Sequence, residues 1–280
     1  MPDSANRVSM VFIGQRNFYT EFLTEWLAGL TDLKGIVWTA SQRKQRRAKW
    51  RRLRGRITRF GLVRALSEVL FYVGITPHRR TDEAALRQMI EEARKTHVPV
   101  RPGLPEALEV PDLRGDEVRR YLEARRPDLV LTQCINERIP ESVYTVPRLG
   151  CFVYHEGIVP KYRGKFCTHW AILNREYDQI GASLVRVEAG MDTGQVAFTC
   201  PVRPHGQGYR HQWWEHEVLF LALPRLKQWI QEVAAGHLPL KDQEARYPIY
   251  SYPLFRHLLK MGRRVRQYEK WLAQHGGPGA

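Results

Sequence analysis

Gly150-Cys151-Phe152-Val153-Tyr154-His155-Glu156 runs directly into Gly157-Ile158-Val159-Pro160-Lys161-Tyr162-Arg163-Gly164. The first residues are aromatic and β-branched and read as a buried strand over 150–154. The residues after His155 are punctuated by Gly and Pro and read as a loop. His155 therefore stands at the end of a strand, where open α/β sheets receive their ligands. Further on, Gly190-Met191-Asp192-Thr193-Gly194-Gln195 places Asp192 in a glycine-flanked turn that lets backbone approach a ligand closely. A histidine and a carboxylate on two such loops can form an acid–base pair, the carboxylate orienting the imidazole or raising its pKa. The same residue types also occur as plain turn and packing residues.

Working outward, Pro127-Asp128-Leu129-Val130-Leu131-Thr132 has the composition of another buried strand. At the N-terminus an apolar run over 8–13 ends at Gly14, an amphipathic stretch covers 18–30, and 33–39 is apolar again. Strand, helix and strand at this spacing form a βαβ unit, which implies a parallel sheet with a right-handed crossover. Helices are expected over 61–75, 81–95 and 115–125, a short strand over 97–100, and a loop at Pro102, Gly103 and Pro105. Two more strands are expected over 183–187 and 195–200. A long helix follows over 216–235, with Pro224 as a kink point. Beyond it come Pro- and Tyr-rich loops, a short helix, and a basic tail expected to be frayed from about Arg263. The fold class is α/β: an open, mostly parallel Rossmann-like sheet with helices on both faces. Residues 1–200 form its body, with a basic insertion at about 43–75. Residues 201–280 form a helical or irregular C-terminal extension.

The 280 residues carry 44 Lys and Arg against 29 Asp and Glu, a formal net charge of +15, and 43% are hydrophobic. That apolar content excludes general disorder, and the charge favours an anionic partner. From Arg43 to Arg59 there are ten Lys and Arg and no acid, with Trp50 among them. Two readings stand: a solvated basic helix leading into a core helix, or an element that binds a membrane surface or nucleic acid. No apolar run reaches the roughly 20 residues needed to span a bilayer. Cys134, Cys151, Cys167 and Cys200 contain no C-x-x-C pair and read as free thiols of a reducing, cytoplasmic compartment. Cys167 with His169 lacks zinc-like spacing, and His205, His211 and His216 are scattered, so no metal site is expected.

The ordered motifs resemble the formyltransferase family, which includes glycinamide ribonucleotide, methionyl-tRNA and sugar-nucleotide N-formyltransferases. The family pattern is roughly Asn-x-His, a Leu-Pro-x-Tyr-x-Gly loop, Gly-x-Thr, then Asp-x-Gly. His155, Pro160, Tyr162-Arg163-Gly164, Trp170-Ala171-Ile172, Gly181 and Asp192-Thr193-Gly194 fall in register, with Pro127–Val130 and Ile139-Pro140 upstream. The resemblance implies the formyltransferase type of sheet and formyl transfer from 10-formyl-tetrahydrofolate to an amine. His155 and Asp192 would be the catalytic pair. Asn136, Glu137 and Ile139 would line one side of the donor pocket, and Glu188, Ala189 and Gly190 the other. Where the family has Asn, this chain has Val153, which cannot donate a hydrogen bond. Losing one oxyanion donor costs about 10²–10³ in rate. Asn136 and the Tyr154 hydroxyl are candidate substitutes, and Glu156 and Arg163 are candidate substrate contacts. The implied acceptor is a small, anionic amine such as a sugar-nucleotide or an amino-acid derivative. The stretch Thr168-His169-Trp170-Ala171-Ile172-Leu173-Asn174 looks closer to the sugar-directed and general-purpose members than to the tRNA enzyme. A catalytically altered folate- or ligand-binding protein and an aminoacyl-tRNA formylase are the alternatives, and a homodimer is compatible with any of the three.

Overall fold

A computed structural model of the chain describes residues 7–40, 57–58, 61–75, 79–97, 103–133, 135, 137–205, 211–244 and 247–276. In chain order the elements are β1 (Ser9–Gln15), α1 (Phe18–Leu30), β2 (Asp32–Thr39), α2 (Leu62–Ile75), α3 (Arg79–His97), β3 (Ala107–Val110), α4 (Asp116–Arg125), β4 (Leu129–Gln133) and α5 (Glu141–Tyr144). They continue with β5 (Gly150–Glu156), α6 (Cys167–Asn174), a 3-10 turn (Tyr177–Gln179), β6 (Gly181–Arg186), β7 (Val196–Pro201), α7 (His211–Leu221), α8 (Leu223–Ala234) and α9 (Phe255–His275).

The strands form a seven-stranded sheet in the order β3-β2-β1-β4-β5-β6-β7. The first five in that order are mutually parallel, and β6 and β7 are antiparallel additions. The chain runs outward from β1 to β3 and then returns to the other side of β1 with β4. The order reverses there, which is where such sheets open a crevice. Successive residues of β1 alternate between two cores: Met10 and Phe12 join one, Val11 and Ile13 the other. A strand buried on both faces must be apolar throughout, which is why it reads as an unbroken run. Helices cover both faces, as the fold class requires. The α1 N-terminus is fixed by Asn17, whose Oδ1 accepts from the Tyr19 and Thr20 amides, while Thr20 Oγ1 accepts from the Asn17 amide at 3.0 Å.

Three expectations change. His97 ends α3, and residues 98–100 lie outside the described residues, so the strand placed over 97–100 is not seen; the edge strand is Ala107–Val110. That strand is mostly exposed, so hydrophobic alternation gives it no signal. The long helix over 216–235 is two helices, because Pro224 supplies no amide hydrogen and sits at the start of α8, where none is needed. The tail is not frayed: α9 buries Met261, Val265, Tyr268 and Leu272, one stripe of a helix whose other positions are largely basic. Tyr268 also donates to the Pro204 carbonyl at 2.8 Å. Of the run from Arg43 to Arg59, only Ile57 and Thr58 lie within the described residues. Among the described residues no helix is long and apolar enough to cross a membrane.

Candidate active site

Alternation along β5 decides the site. Phe152, Tyr154 and Glu156 turn to one face of the sheet, and Cys151, Val153 and His155 to the other. Within β5 every residue is buried except Val153, which is partly exposed. The second face therefore opens to solvent at the position between Cys151 and His155.

Two loops approach this face. The loop between β5 and α6 returns over it, so that His155 Nε2 lies 3.2 Å from the Tyr162 carbonyl oxygen and 3.6 Å from Cys167 Sγ. A carbonyl oxygen can only accept, so Nε2 is the donor in this contact. Burial pushes the Cys167 thiol well up, so a neutral thiol faces the ring. Two residues beyond Tyr162, the Gly164 amide donates to Asp192 Oδ2 at 3.2 Å. His155 and Asp192 are thus brought to one loop and joined through its backbone. Among the described residues no hydrogen bond links their side chains directly. Asp192 adopts left-handed backbone (φ 51), which Asp tolerates. Gln243 braces its turn by donating to the carbonyls of Asp192 (3.0 Å) and Gly194 (2.8 Å).

The expected flanking segments also converge. Ile135, Ile139 and Val187 all pack with Cys151 in one hydrophobic cluster. The Val187 amide donates to the Cys151 carbonyl at 2.7 Å, and Glu188, Ala189 and Gly190 follow it, exposed. Glu137 is half-buried beside that cluster, and Ile139 is part of the core. Asn136 lies outside the described residues.

Tyr154 points away from the site, correcting its place among the substitute donors. It is 2% exposed, and its hydroxyl donates to the Leu219 carbonyl at 2.6 Å. Period-two geometry forbids Tyr154 and His155 from sharing a face. Glu156 is also committed elsewhere: Oε1 accepts from the Thr168 amide at 2.6 Å and Oε2 from the Cys167 amide at 3.2 Å. It caps α6 from a strand, since Phe166, in left-handed backbone at the N-cap, offers no side-chain acceptor. Burial raises the Glu156 carboxyl, against the lowering effect of those hydrogen bonds. Arg163 donates to the Tyr247 carbonyl through Nε at 2.9 Å and through Nη2.

Sequence reasoning missed several supporting residues. Ser183 Oγ donates to the Gly157 carbonyl at 2.7 Å and accepts from the Val159 amide at 3.2 Å, fixing the loop that carries Tyr162. Its signal was available, because Gly181-Ala182-Ser183 aligns with the Gly-x-Thr element. The Tyr162 hydroxyl donates to Glu176 Oε2 at 2.7 Å, and its ring stacks on Tyr250 at 5.2 Å. Gln133, 3% exposed at the carboxyl end of β4, has a buried Oε1 without a hydrogen-bond partner among the described residues. Nothing local in the sequence marks Gln133 or Gln243.

The sequence profile described as "Formyl transferase" matches residues 80–206. Methionyl-tRNA formyltransferase of Pseudomonas fluorescens is 28% identical over 180 residues, which are 60% of this chain and 55% of that protein. That of Acetivibrio thermocellus is 31% identical over 126 residues, 45% of this chain and 38% of that protein. The chain spans about half the length or less of these curated relatives. Among solved structures, a 4-N formyltransferase from Francisella tularensis aligns with a TM-score of 0.53 and 12% identity, covering 87% of this chain and 76% of that one. Glycinamide ribonucleotide transformylase 1 from Symbiobacterium toebii aligns with a TM-score of 0.52 and 14% identity, covering 88% and 95%. These structures speak for the fold. The profile match runs through β4, β5, the loop carrying Tyr162 and the turn of Asp192, the segments that build the open face of β5, and over these residues the chain is similar to the formyl transferase family.

Proposed function

We propose that this chain is an N-formyltransferase that moves a formyl group from 10-formyl-tetrahydrofolate to the amine of a small, anionic acceptor. The observation that carries the reading is the attachment of His155 and Asp192 to the two ends of Tyr162–Gly164, over the one open position of β5. The donor's folate would lie between Glu137–Ile139 and Glu188–Gly190, which flank one cluster on that face. The exposed backbone of the second segment and the open Val153 position fit a planar, hydrogen-bonding ring. The bound donor supplies an electrophilic formyl carbon, at which amine attack develops an oxyanion.

His155 is the hydrogen-bond donor for that oxygen. In its charged form both ring nitrogens donate, so the ring can keep the Tyr162 carbonyl and offer a second N–H. Asp192, in the β6–β7 turn that meets this loop at Gly164, receives the proton leaving the amine. On the same loop Lys161 pairs with Glu176 at 2.7 Å and Arg163 holds the Tyr247 carbonyl, so an anionic acceptor would compete with these partners for the two cations. A cytoplasmic location suits a folate-dependent reaction.

The test is turnover of 10-formyl-tetrahydrofolate against a panel of amines, including amino sugars on nucleotide carriers, with Asp192→Asn as control. Transfer to a small amine, lost in the control, is expected; no turnover on any amine sinks the reading. Val153 favours a second reading, a folate-binding protein that has lost catalysis. Tight donor binding without transfer, together with a large gain on Val153→Asn, would establish it. The curated relatives quoted above carry the name of a tRNA enzyme, and the +15 charge suits an RNA. Against that acceptor, the described residues after β7 form three helices and no strand-built nucleic-acid-binding barrel.

A further inference from the structure

Helix α2 is apolar on both sides. Its inner side is spent on the fold: Ala65 and Phe71 are buried, and the Phe71 ring meets Phe166 edge-on at 5.8 Å. Its outer side carries Leu62, Val63, Leu66, Val69, Leu70 and Val73, all exposed, from 41% at Leu70 to 84% at Val63. These positions recur at one, four, seven, eight and eleven residues from Leu62 and so form one continuous stripe. Monomeric proteins rarely leave such a stripe bare without a use for it.

The neighbouring helix says what covers it. α9 packs beside α2, with the Phe255 amide donating to Ser67 Oγ at 2.9 Å and the Leu258 side chain lying over Gly74. Going round α9 from that contact, helical spacing brings first Phe255 and Leu259, both exposed, and then Arg256, Lys260, Arg263, Arg266 and Lys270, also exposed. An apolar stripe therefore passes into apolar residues of the next helix and then into a basic stripe, bordered by one half-buried acid, Glu269. Long cationic side chains bordering an apolar helix face are what a helix lying in a lipid interface presents. A second copy of this chain would bring the same basic stripe against itself. By sequence, the ten Lys and Arg between residues 43 and 59 add charge of the same sign ahead of α2, although the surface is defined by α2 and α9 alone.

We propose that the outer faces of α2 and α9 dock this protein peripherally on an anionic phospholipid bilayer. The α2 stripe enters the headgroup region and the α9 stripe meets lipid phosphates and carboxylates. The docking is independent of the transfer reaction, because its test needs neither folate nor acceptor. The full chain is co-sedimented with vesicles of phosphatidylcholine alone and with phosphatidylserine added, at low and high salt. Binding at least tenfold tighter to the anionic vesicles, and weaker in high salt, is expected. Leu66→Glu with Val73→Glu should abolish binding. Lys260→Glu with Arg263→Glu should remove the preference for anionic lipid. All four side chains are exposed or lie on exposed faces, so circular dichroism should stay unchanged. No binding to anionic vesicles, or binding indifferent to either pair, overturns the proposal. A concentration-dependent dimer abolished by Leu66→Glu would assign the face to a second copy, and RNA binding without vesicle binding would assign the charge to nucleic acid; either overturns it.

Discussion

On one face of β5, Phe152 packs on Trp229, the Tyr154 hydroxyl holds the Leu219 carbonyl, and Glu156 caps a helix that starts eleven residues later. On the other face, Val153 is open and, among the described residues, the His155 ring meets a loop carbonyl and a thiol. The two faces belong to seven consecutive residues, yet one is finished as a core and the other is left chemically unfinished. The difference teaches where to look for function in a strand: at the face whose polar groups the fold has not consumed. It also separates two classes of substitution. Changes on the closed face should act on stability, and changes on the open face on turnover.

The largest effect should come from the open face. His155→Ala should lower formyl transfer by about 10²–10⁴, the usual share of one acid–base group. Its melting temperature should fall less than that of Glu156→Ala, because the ring makes one hydrogen bond to the backbone where Glu156 makes two. A large loss of stability with unchanged turnover would break the comparison. On the closed face, Glu156→Ala should cost about 2 kcal/mol in urea unfolding, since two helix N–H groups lose their acceptor in a buried setting. Glu156→Gln should recover part of this, because one amide oxygen can still accept.

A pH effect of comparable size tests the closed side beneath α6. His169 is fully buried between the Phe166 and Trp214 rings, and burial pushes its imidazole down to about 3 from 6.5. The unfolded chain takes up that proton near 6.5. Stability from this group is therefore complete above that value and is lost as pH falls toward 3. Going from about pH 7.5 to about pH 5 should cost about 2 kcal/mol through this residue, and His169→Phe should remove that part of the slope. Glu215, pushed up to about 8 by burial, works in the opposite sense and loses stability as pH rises from 4.5 toward 8. The quantity to read is therefore the difference between the two proteins, by urea unfolding at several pH values. An unchanged slope would show that His169 is not held neutral. The smallest effect should be Tyr154→Phe, about 1 kcal/mol of stability with turnover unchanged. A selective loss of turnover there would return Tyr154 to the site.

Much of this was legible in the chain. β1, β4 and β5 announce themselves because strands buried on both faces are apolar at every position. α1 is marked at both ends, by Asn17 and by the break at Thr31. His155, Asp192 and the loop between them were put forward by motif order. β3 was missed because an exposed edge strand has no core to pattern it. The docking of α9 was missed because four buried positions are diluted among basic ones.

By itself the sequence marked the βαβ start and the buried strands β4 and β5, carried the resemblance to formyl transferases, and put forward His155 and Asp192 for the site loops. These depend on short-range periodicity and turn chemistry, which each segment carries within itself. Only the tertiary structure decided which face of β5 opens, that Glu156 is spent on α6, that Gln243 braces the turn of Asp192, and that His155 and Asp192 meet through a backbone rather than directly. The physical reason is that a hydrogen bond's partner is chosen by proximity after folding. Residues as far apart as Gln243 and Asp192 carry no local mark of one another.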